Sequence, residues 1–280
     1  MLMIGNASVN TATTSAAHTR FAVMSAYLDQ LFGLTGRLAV VTGGSSGIGL
    51  AMATALGRAG ARLVLVARRC GPLDDAVAAL TALGVEAAAE PADLADRAAV
   101  KAVADTIVRG YGEPDVLVNA AAVNRRPPMD DLTEDDWDVT IRANLDAPFL
   151  LGQRFGPAMA RRGWGRIVNV VSQQAVRAYG NSGAYGVSKA GLAALTRSQA
   201  EAWSARGVCC NAVAPGVVHT PLTEAVFADR ELAAAHAART MTGRNGEPAD
   251  FAAAAVFLAS PAAAAVTGQT LFVDGGYSVH

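Results

Sequence analysis

The chain has 280 residues, 52% hydrophobic and 17% charged, enough apolar side chains to fill one large α/β core and too few charges for a disordered chain. Lys and Arg number 23 against 24 acidic residues, a net charge of -1, which excludes the basic footprint of a nucleic-acid or anionic-membrane binder. Three cysteines, Cys70 and the adjacent Cys209 and Cys210, have neither disulfide-framework nor metal-ligand spacing, so reduced thiols in a cytoplasmic protein without a catalytic metal are expected.

Residues 1–31 read as a disordered N-terminal extension outside the fold. Up to about Tyr27 they are rich in Ser, Thr, Ala and Asn, and they lack the basic start and long apolar core of a secretory signal. Met24 is an alternative start of the functional chain. Residues 32–280 read as a single domain, because no repeat or Pro/Gly linker divides them. Within it, short apolar runs alternate with longer alanine-rich stretches of helical character. The runs are RLAVVT (37–42), RLVLVA (62–67), VEAAAE (85–90), DVLVN (115–119), RIVNVVS (166–172), VCCNAV (208–213) and TLFV (270–273). Near-continuous apolar strands separated by helices predict a parallel sheet covered on both faces, a doubly wound α/β domain.

Directly after the first run comes TGGSSGIG (42–49), and then a helical stretch. A glycine-rich turn between strand and helix lets backbone approach a pyrophosphate, whose charge meets free N–H groups and the helix dipole. Gly43, Gly47 and Gly49 are spaced G-x-x-x-G-x-G, which differs from the G-x-G-x-x-G dinucleotide pattern.

Further on, AYGVSKAG (184–191) places Tyr185 and Lys189 four residues apart in a helical stretch, so they share one face. An ammonium beside a phenol lowers the phenol's pKa and makes it a proton donor or acceptor near neutrality. Taken alone, the same pair also fits a solvated helix face. The segment of about 215–247 is longer than an ordinary connection and follows the sixth strand, where open α/β sheets bind ligands; it reads as a substrate-covering flap. The charge-free run Phe251–Val273 contains Ser260, Pro261 and Gly268 and reads as a buried helix, a turn and a strand instead of a membrane span.

Taken in order, TGGSSGIG, LVNAAA (117–122), RANLDAPF (142–149), RIVNVVS, AYGVSKAG, NAVAPGVVHT (211–220) and VDGG (273–276) resemble the single-domain short-chain dehydrogenase/reductases from about Phe32 to Tyr277. The resemblance implies a Rossmann-type sheet of seven parallel strands holding NAD or NADP. It places the glycine motif on Gly43, Gly47 and Gly49, with Ser45, Ser46 and Ile48 lining the phosphate turn. The adenine contact falls on Asp93, followed by Leu94, and the ribose contact on Asn119. The nicotinamide-side turn falls on Pro215 and Gly216, with Val218 and Thr220 near the carboxamide. At the end of the second strand, Ala67 occupies the position of the NAD-type carboxylate and Arg68 follows. That pattern favours NADP(H) over NAD(H), which remains possible, and an arginine fork suits a phosphate.

The family's active-site set falls on Ser172, Tyr185 and Lys189, with Asn144 as the fourth member. In these roles Tyr185 exchanges the proton, Lys189, aided by the oxidised nicotinamide, lowers its pKa and holds ribose hydroxyls, Ser172 donates to the substrate oxygen, and Asn144 holds a water linking Lys189 to solvent. The family's NNAG is NAAA here, with Ala120 and Ala122 in place of Asn and Gly, which puts the seating of that turn in question. A homotetramer is also implied.

LFGLTGRLAVVTGG, the NRRPPM turn (124–129) and LDAPF look like gluconate 5-dehydrogenases and neighbouring sugar-acid or polyol members. The expected substrate is thus a small-molecule alcohol or carbonyl, a sugar acid or polyol. Gln173, Gln174, Arg125, Arg177 and His219 are candidates to address its hydroxyls or carboxylate. A ketoreductase of cyclic or polyketide-derived ketones is the alternative, and a non-catalytic NADP-binding regulator the second.

Overall fold

The computed structural model describes residues 23–279. Most of the predicted extension, residues 1–22, lies outside the described residues, but its last part is not disordered: residues 23–32 form a helix, α1. Its apolar residues recur at helical spacing (Val23, Met24, Tyr27, Leu28, Leu31), a signal that the polar composition just upstream hides. The helix ends at Gly33, whose N–H reaches the Asp29 carbonyl at 2.8 Å, and the chain enters the core at buried Leu34.

Seven parallel strands follow, β1 (Leu38–Thr42), β2 (Arg62–Ala67), β3 (Ala87–Pro91), β4 (Val116–Asn119), β5 (Gly165–Val170), β6 (Val208–Pro215) and β7 (Thr270–Val273). Their order is β3-β2-β1-β4-β5-β6-β7. Every residue of β1, β4, β5 and β6 is buried, as near-continuous apolar runs require when helices cover both faces. The helices are α2 (Gly47–Arg58), α3 (Cys70–Ala82), α4 (Arg97–Tyr111), α5 (Glu134–Ile141), α6 (Ala147–Arg162), α7 (Gly183–Trp203), α8 (Glu224–Ala228), α9 (Arg230–Ala238) and α10 (Ala252–Ala259). One apolar cluster packs α2, α3 and α10 on one face, and a second packs α4, α6 and α7 on the other. The strand order reverses between β1 and β4, and that switch point is where such sheets open a crevice beyond the strands' carboxyl ends. The charge-free run resolves into α10, a short 3-10 turn (Pro261–Ala263) and β7. Among the described residues no helix is long and apolar enough to cross a membrane.

At the opposite, amino end of the strands the buried Arg166 ties several elements together. Its Nε donates to the Ser260 carbonyl at 3.1 Å and its Nη1 to those of Gly165 and Gly207 at 2.8 and 3.4 Å, which links the carboxyl end of α10 and the turn after α7 to β5. Trp164 lies between this guanidinium, 4.7 Å from the ring centre, and that of Arg37 at 3.7 Å.

Candidate active site

The turn after β1 is built by close backbone contact. Gly43 has φ +68°, and a Cβ there would stand 2.7 Å from the Ala121 nitrogen; a Cβ on Gly49 would fall on the Gly43 carbonyl oxygen. Only glycine lets the turn lie against the 120–121 backbone and tuck the first turn of α2 beneath it. Ser46, the N-cap of α2, makes no side-chain capping bond, and the first helical turn carries no acid. The amino-end N–H groups of α2 therefore face the cleft, an arrangement that fits a pyrophosphate.

Gly43, Ser45, Ser46, Gly47, Ile48 and Gly49 line a cleft of about 330 Å³, and the same cleft is lined by Ser172, Tyr185, Lys189, Pro215, Gly216, Val218 and Thr220. A neighbouring cavity of about 200 Å³ is lined by Arg68, Asp93 and Leu94. Gly43, Ser45, Arg69, Ala121 and Ala122 border both, so the two form one groove across the switch point. Arg69, which follows Arg68, borders both parts of this groove. No carboxylate stands at the end of β2, where Ala67 opens onto the groove beside the two arginines.

Two expected site residues have buried side chains that bond within the protein. Asn119 is buried, and its amide donates to Asn169 Oδ1 at 2.8 Å, so its side chain is turned into the sheet toward β5. Asn144 sits in a π-helical turn (Arg142–Asp146) between α5 and α6 and is 0% exposed. The NAAA turn is seated firmly: the Thr42 hydroxyl accepts from the Ala120 and Ala121 N–H groups at 3.2 and 3.3 Å, which does not depend on the substituted side chains.

At the chemical end, Tyr185 and Lys189 occupy the first two turns of α7, with the Lys189 nitrogen 5.7 Å from the phenol ring centre. Lys189 by itself does not depress the phenol's pKa. Burial raises the Tyr185 pKa, opposed by the Ser172 hydroxyl and the charge of Arg126, and Lys189 is not among the influences. Lys189 is itself 2% exposed, donates to the Val170 carbonyl at 2.8 Å, and is pushed down to about 7 by burial. Desolvation disfavours both charged forms, and this outweighs their proximity.

The substrate side is framed by the 124–129 turn, the 173–183 loop and the segment after β6. Arg125 is turned away, paired with Asp135 and Asp136 on α5 at 2.8 and 3.1 Å. Arg126 instead donates to the Gly180 and Asn181 carbonyls at 2.7 and 3.1 Å, clasping two walls together while its charge reaches the Tyr185 phenol. Gln174 accepts from Ser182 at 3.0 Å, Arg177 donates to the Tyr277 carbonyl at 3.2 Å, and His219 stacks on Phe227 at 4.3 Å. Gln173 is buried, and its Oε1 has no hydrogen-bond partner among the described residues. The 215–247 segment is closed at its base by a Val218–Gly246 bridge and carries α8 and α9; its first residues, Thr220 to Thr223, line the cleft, and Thr223 is fastened to the Val218 carbonyl.

A phosphate turn at the switch point and a Ser, Tyr and Lys facing it across one cleft define a nicotinamide-dependent oxidoreductase of secondary alcohols and ketones. Residues 43–278 match the profile of the family described as enoyl-(acyl carrier protein) reductase. The chain is 39% identical over 249 residues to gluconate 5-dehydrogenase of Gluconobacter oxydans, covering 89% of this chain and 97% of that one. It is 40% identical over 251 residues to D-threitol dehydrogenase of Mycolicibacterium smegmatis, covering 89% and 95%. The solved gluconate 5-dehydrogenase of Burkholderia cenocepacia, in complex with NADP and tartrate, superposes with a TM-score of 0.85 at 36% identity, over 90% of this chain and 99% of that one. The chain belongs to the short-chain dehydrogenase/reductase family.

Proposed function

We propose that this enzyme interconverts a secondary alcohol and a ketone on a sugar acid or polyol, with NADP(H) preferred to NAD(H). The observation that carries the reading is that Ser172, Tyr185 and Lys189 open onto the same cleft as the glycine turn. The relatives' sugar-acid and polyol activities support the substrate class. Arg68 and Arg69 beside the neutral Ala67 support NADP, since two guanidinium groups offer a 2′-phosphate the charge that a carboxylate at this position would deny it.

When bound, the nicotinamide supplies or receives the hydride. The α2 amino end and the glycine turn hold its pyrophosphate, and Pro215, Gly216, Val218 and Thr220 border the end near Tyr185. Tyr185 gives its phenolic proton to the substrate oxygen in reduction and takes it back in oxidation. Ser172 donates a hydrogen bond to that oxygen, where charge develops. Lys189, held by burial at a pKa near neutrality, replenishes or drains the phenol's proton and reaches the ribose hydroxyls. Arg126 sets a cation within reach of the phenol, suited to the carboxylate of a sugar acid. Residues 215–247 act as the substrate flap. A cytoplasmic location is consistent with the free Cys70, Cys209 and Cys210. A homotetramer is consistent with apolar side chains exposed on α6 (Phe149), α7 (Val187) and the edge strand β7 (Leu271).

The test is nicotinamide absorbance with NADPH and NADH in parallel, against keto-sugar acids, ketoses and cyclic ketones, with Tyr185→Phe as control. Turnover of keto-sugar acids or ketoses with NADPH, abolished in the variant, is expected. Turnover confined to cyclic ketones moves the substrate class to a ketoreductase, and NADPH binding without any turnover points to a regulator.

A further inference from the structure

Ser188 stands between the two halves of the site, and its hydrogen bonds are fully directed. It is 0% exposed. Its hydroxyl donates to the Tyr185 carbonyl at 2.7 Å, so toward other groups it can only accept, and Asn144 Nδ2 donates to it at 3.0 Å. That commitment fixes which way the Asn144 amide faces. The second Nδ2 hydrogen goes to the Val123 carbonyl at 2.9 Å, and Oδ1 accepts from the Val123 N–H at 2.8 Å. Both Nδ2 hydrogens of Asn144 are thus committed within the protein, and its side chain is a clamp. Val123 lines the same cavity as Arg68 and Asp93. A continuous chain therefore runs from the Tyr185 main chain through Ser188 and Asn144 to the wall of the cofactor groove. Among the described residues Ser188 makes the one hydrogen bond between Asn144 and α7.

We propose that Ser188 is a positioning residue: through Asn144 it sets the register of Tyr185 and Lys189 against the cofactor groove, and so the geometry of proton and hydride transfer. This rests on the reading of Tyr185 and Lys189 given above. A hydroxyl bonded back to its own helix is ordinary and needs no such role. The same helix supplies an internal control. Thr196, also buried, bonds back to the Leu192 carbonyl at 2.8 Å and accepts from Asn169 Nδ2 at 2.9 Å, the same pattern two turns further on and away from the cleft. If such bonds served only the core, loss of either would have the same effect.

The experiment compares Ser188→Ala, Ser188→Thr, Thr196→Val and Tyr185→Phe in the full chain, reading Tm, NADPH affinity, KM, kcat and the pH profile of kcat. The charged or titratable groups facing the phenol are Lys189 from its own helix and Arg126 from the 124–129 turn, with His236 of α9 close to Arg126, and none of these is altered. Ser188→Ala should lower kcat about tenfold and displace its pH profile by about half a unit, with KM and NADPH affinity within about twofold of wild type. Ser188→Thr, which keeps the hydroxyl, should restore both. Thr196→Val should lower Tm comparably and leave the kinetics unchanged. The proposal is overturned by a wild-type kcat and pH profile in Ser188→Ala while Tyr185→Phe is inactive, by a Thr variant that behaves like the Ala variant, or by equal kinetic losses in Ser188→Ala and Thr196→Val. Turnover surviving in Tyr185→Phe would instead overturn the reading of the site, and the proposal with it.

Discussion

Lys189→Met tests whether the buried ammonium is the strained member of the site. Methionine has a similar length and fills the space without a charge. In the folded protein burial pushes the Lys189 pKa down to about 7 from an ordinary 10.5. Below about pH 7 both folded and unfolded chains hold the proton, so the fold bears the whole cost of burying the charge. As pH rises from about 7 towards 10.5 the folded chain releases the proton while the unfolded chain keeps it, and that cost is progressively relieved. Each full unit is about 1.4 kcal/mol, and because the folded amine is already half deprotonated at about pH 7, wild type should gain about 2 kcal/mol on Lys189→Met between pH 7 and 9. For a domain of this size that is a Tm difference of about 4–8 °C. Tyr185, whose pKa is raised above its ordinary 10.0, does not titrate in this window. Denaturation of both proteins without cofactor, at unit steps from pH 6 to 9, measures the gap. A wild-type minus variant difference that stays constant across the series would show that the amine keeps its charge in the fold, and that its proposed role as a proton store near neutrality is mistaken.

Replacing Arg68 or Arg69 with alanine should weaken NADPH binding about 10- to 100-fold each, as expected for loss of a charge-assisted phosphate contact, with NADH affected far less. Fluorescence titration of the two nucleotides decides it, and equal losses for both would remove the arginines from phosphate recognition. Gly49→Ala drives a methyl group into the Gly43 carbonyl and should cost at least about tenfold in NADPH affinity, together with a lower Tm, because the overpacked contact is backbone. Arg166→Met withdraws donors from the Ser260, Gly165 and Gly207 carbonyls and should destabilise the fold by roughly 2–4 kcal/mol, read by urea denaturation, while kcat of the folded fraction stays at the wild-type value.

The strands are legible in the chain because their burial on both faces leaves a near-continuous apolar run; each predicted run lies within two residues of its observed strand. The glycine turn and the Tyr185–Lys189 pair are legible for a related reason, being local devices whose members are close in sequence. Direction across elements is not. Nothing in the order of residues says that the Asn119 amide turns toward β5, where Asn169 supplies a partner, or that Arg125 swings to the acids of α5 while its neighbour Arg126 clasps the 173–183 loop. The charge pattern that separates NAD from NADP assigns only Arg68, the first residue after the strand, whereas the turn into α3 brings both arginines to the groove. The α1 helix escapes because its apolar spacing lies directly behind a polar stretch of different character.

The electrostatics of Tyr185 and Lys189 escape for a deeper reason, since helical spacing gives their distance but not their surroundings. On a solvated face, an ammonium near a phenol stays charged and its field pulls the phenol down. Here the Lys189 nitrogen donates to the Val170 carbonyl at the end of β5, and the burial of both groups outweighs the pull of one on the other. A site arranged this way gives up stability to hold two groups that sit uneasily in the fold, and it needs rigid surroundings to keep them in place. The hydrogen bonds that provide this rigidity, Ser188 with Asn144 and Asn144 with Val123, run from two fully buried side chains to the main chain of Val123 at the groove wall. Their contribution should therefore be sought in rates and pH profiles before affinities, because they hold the reacting geometry and touch no ligand.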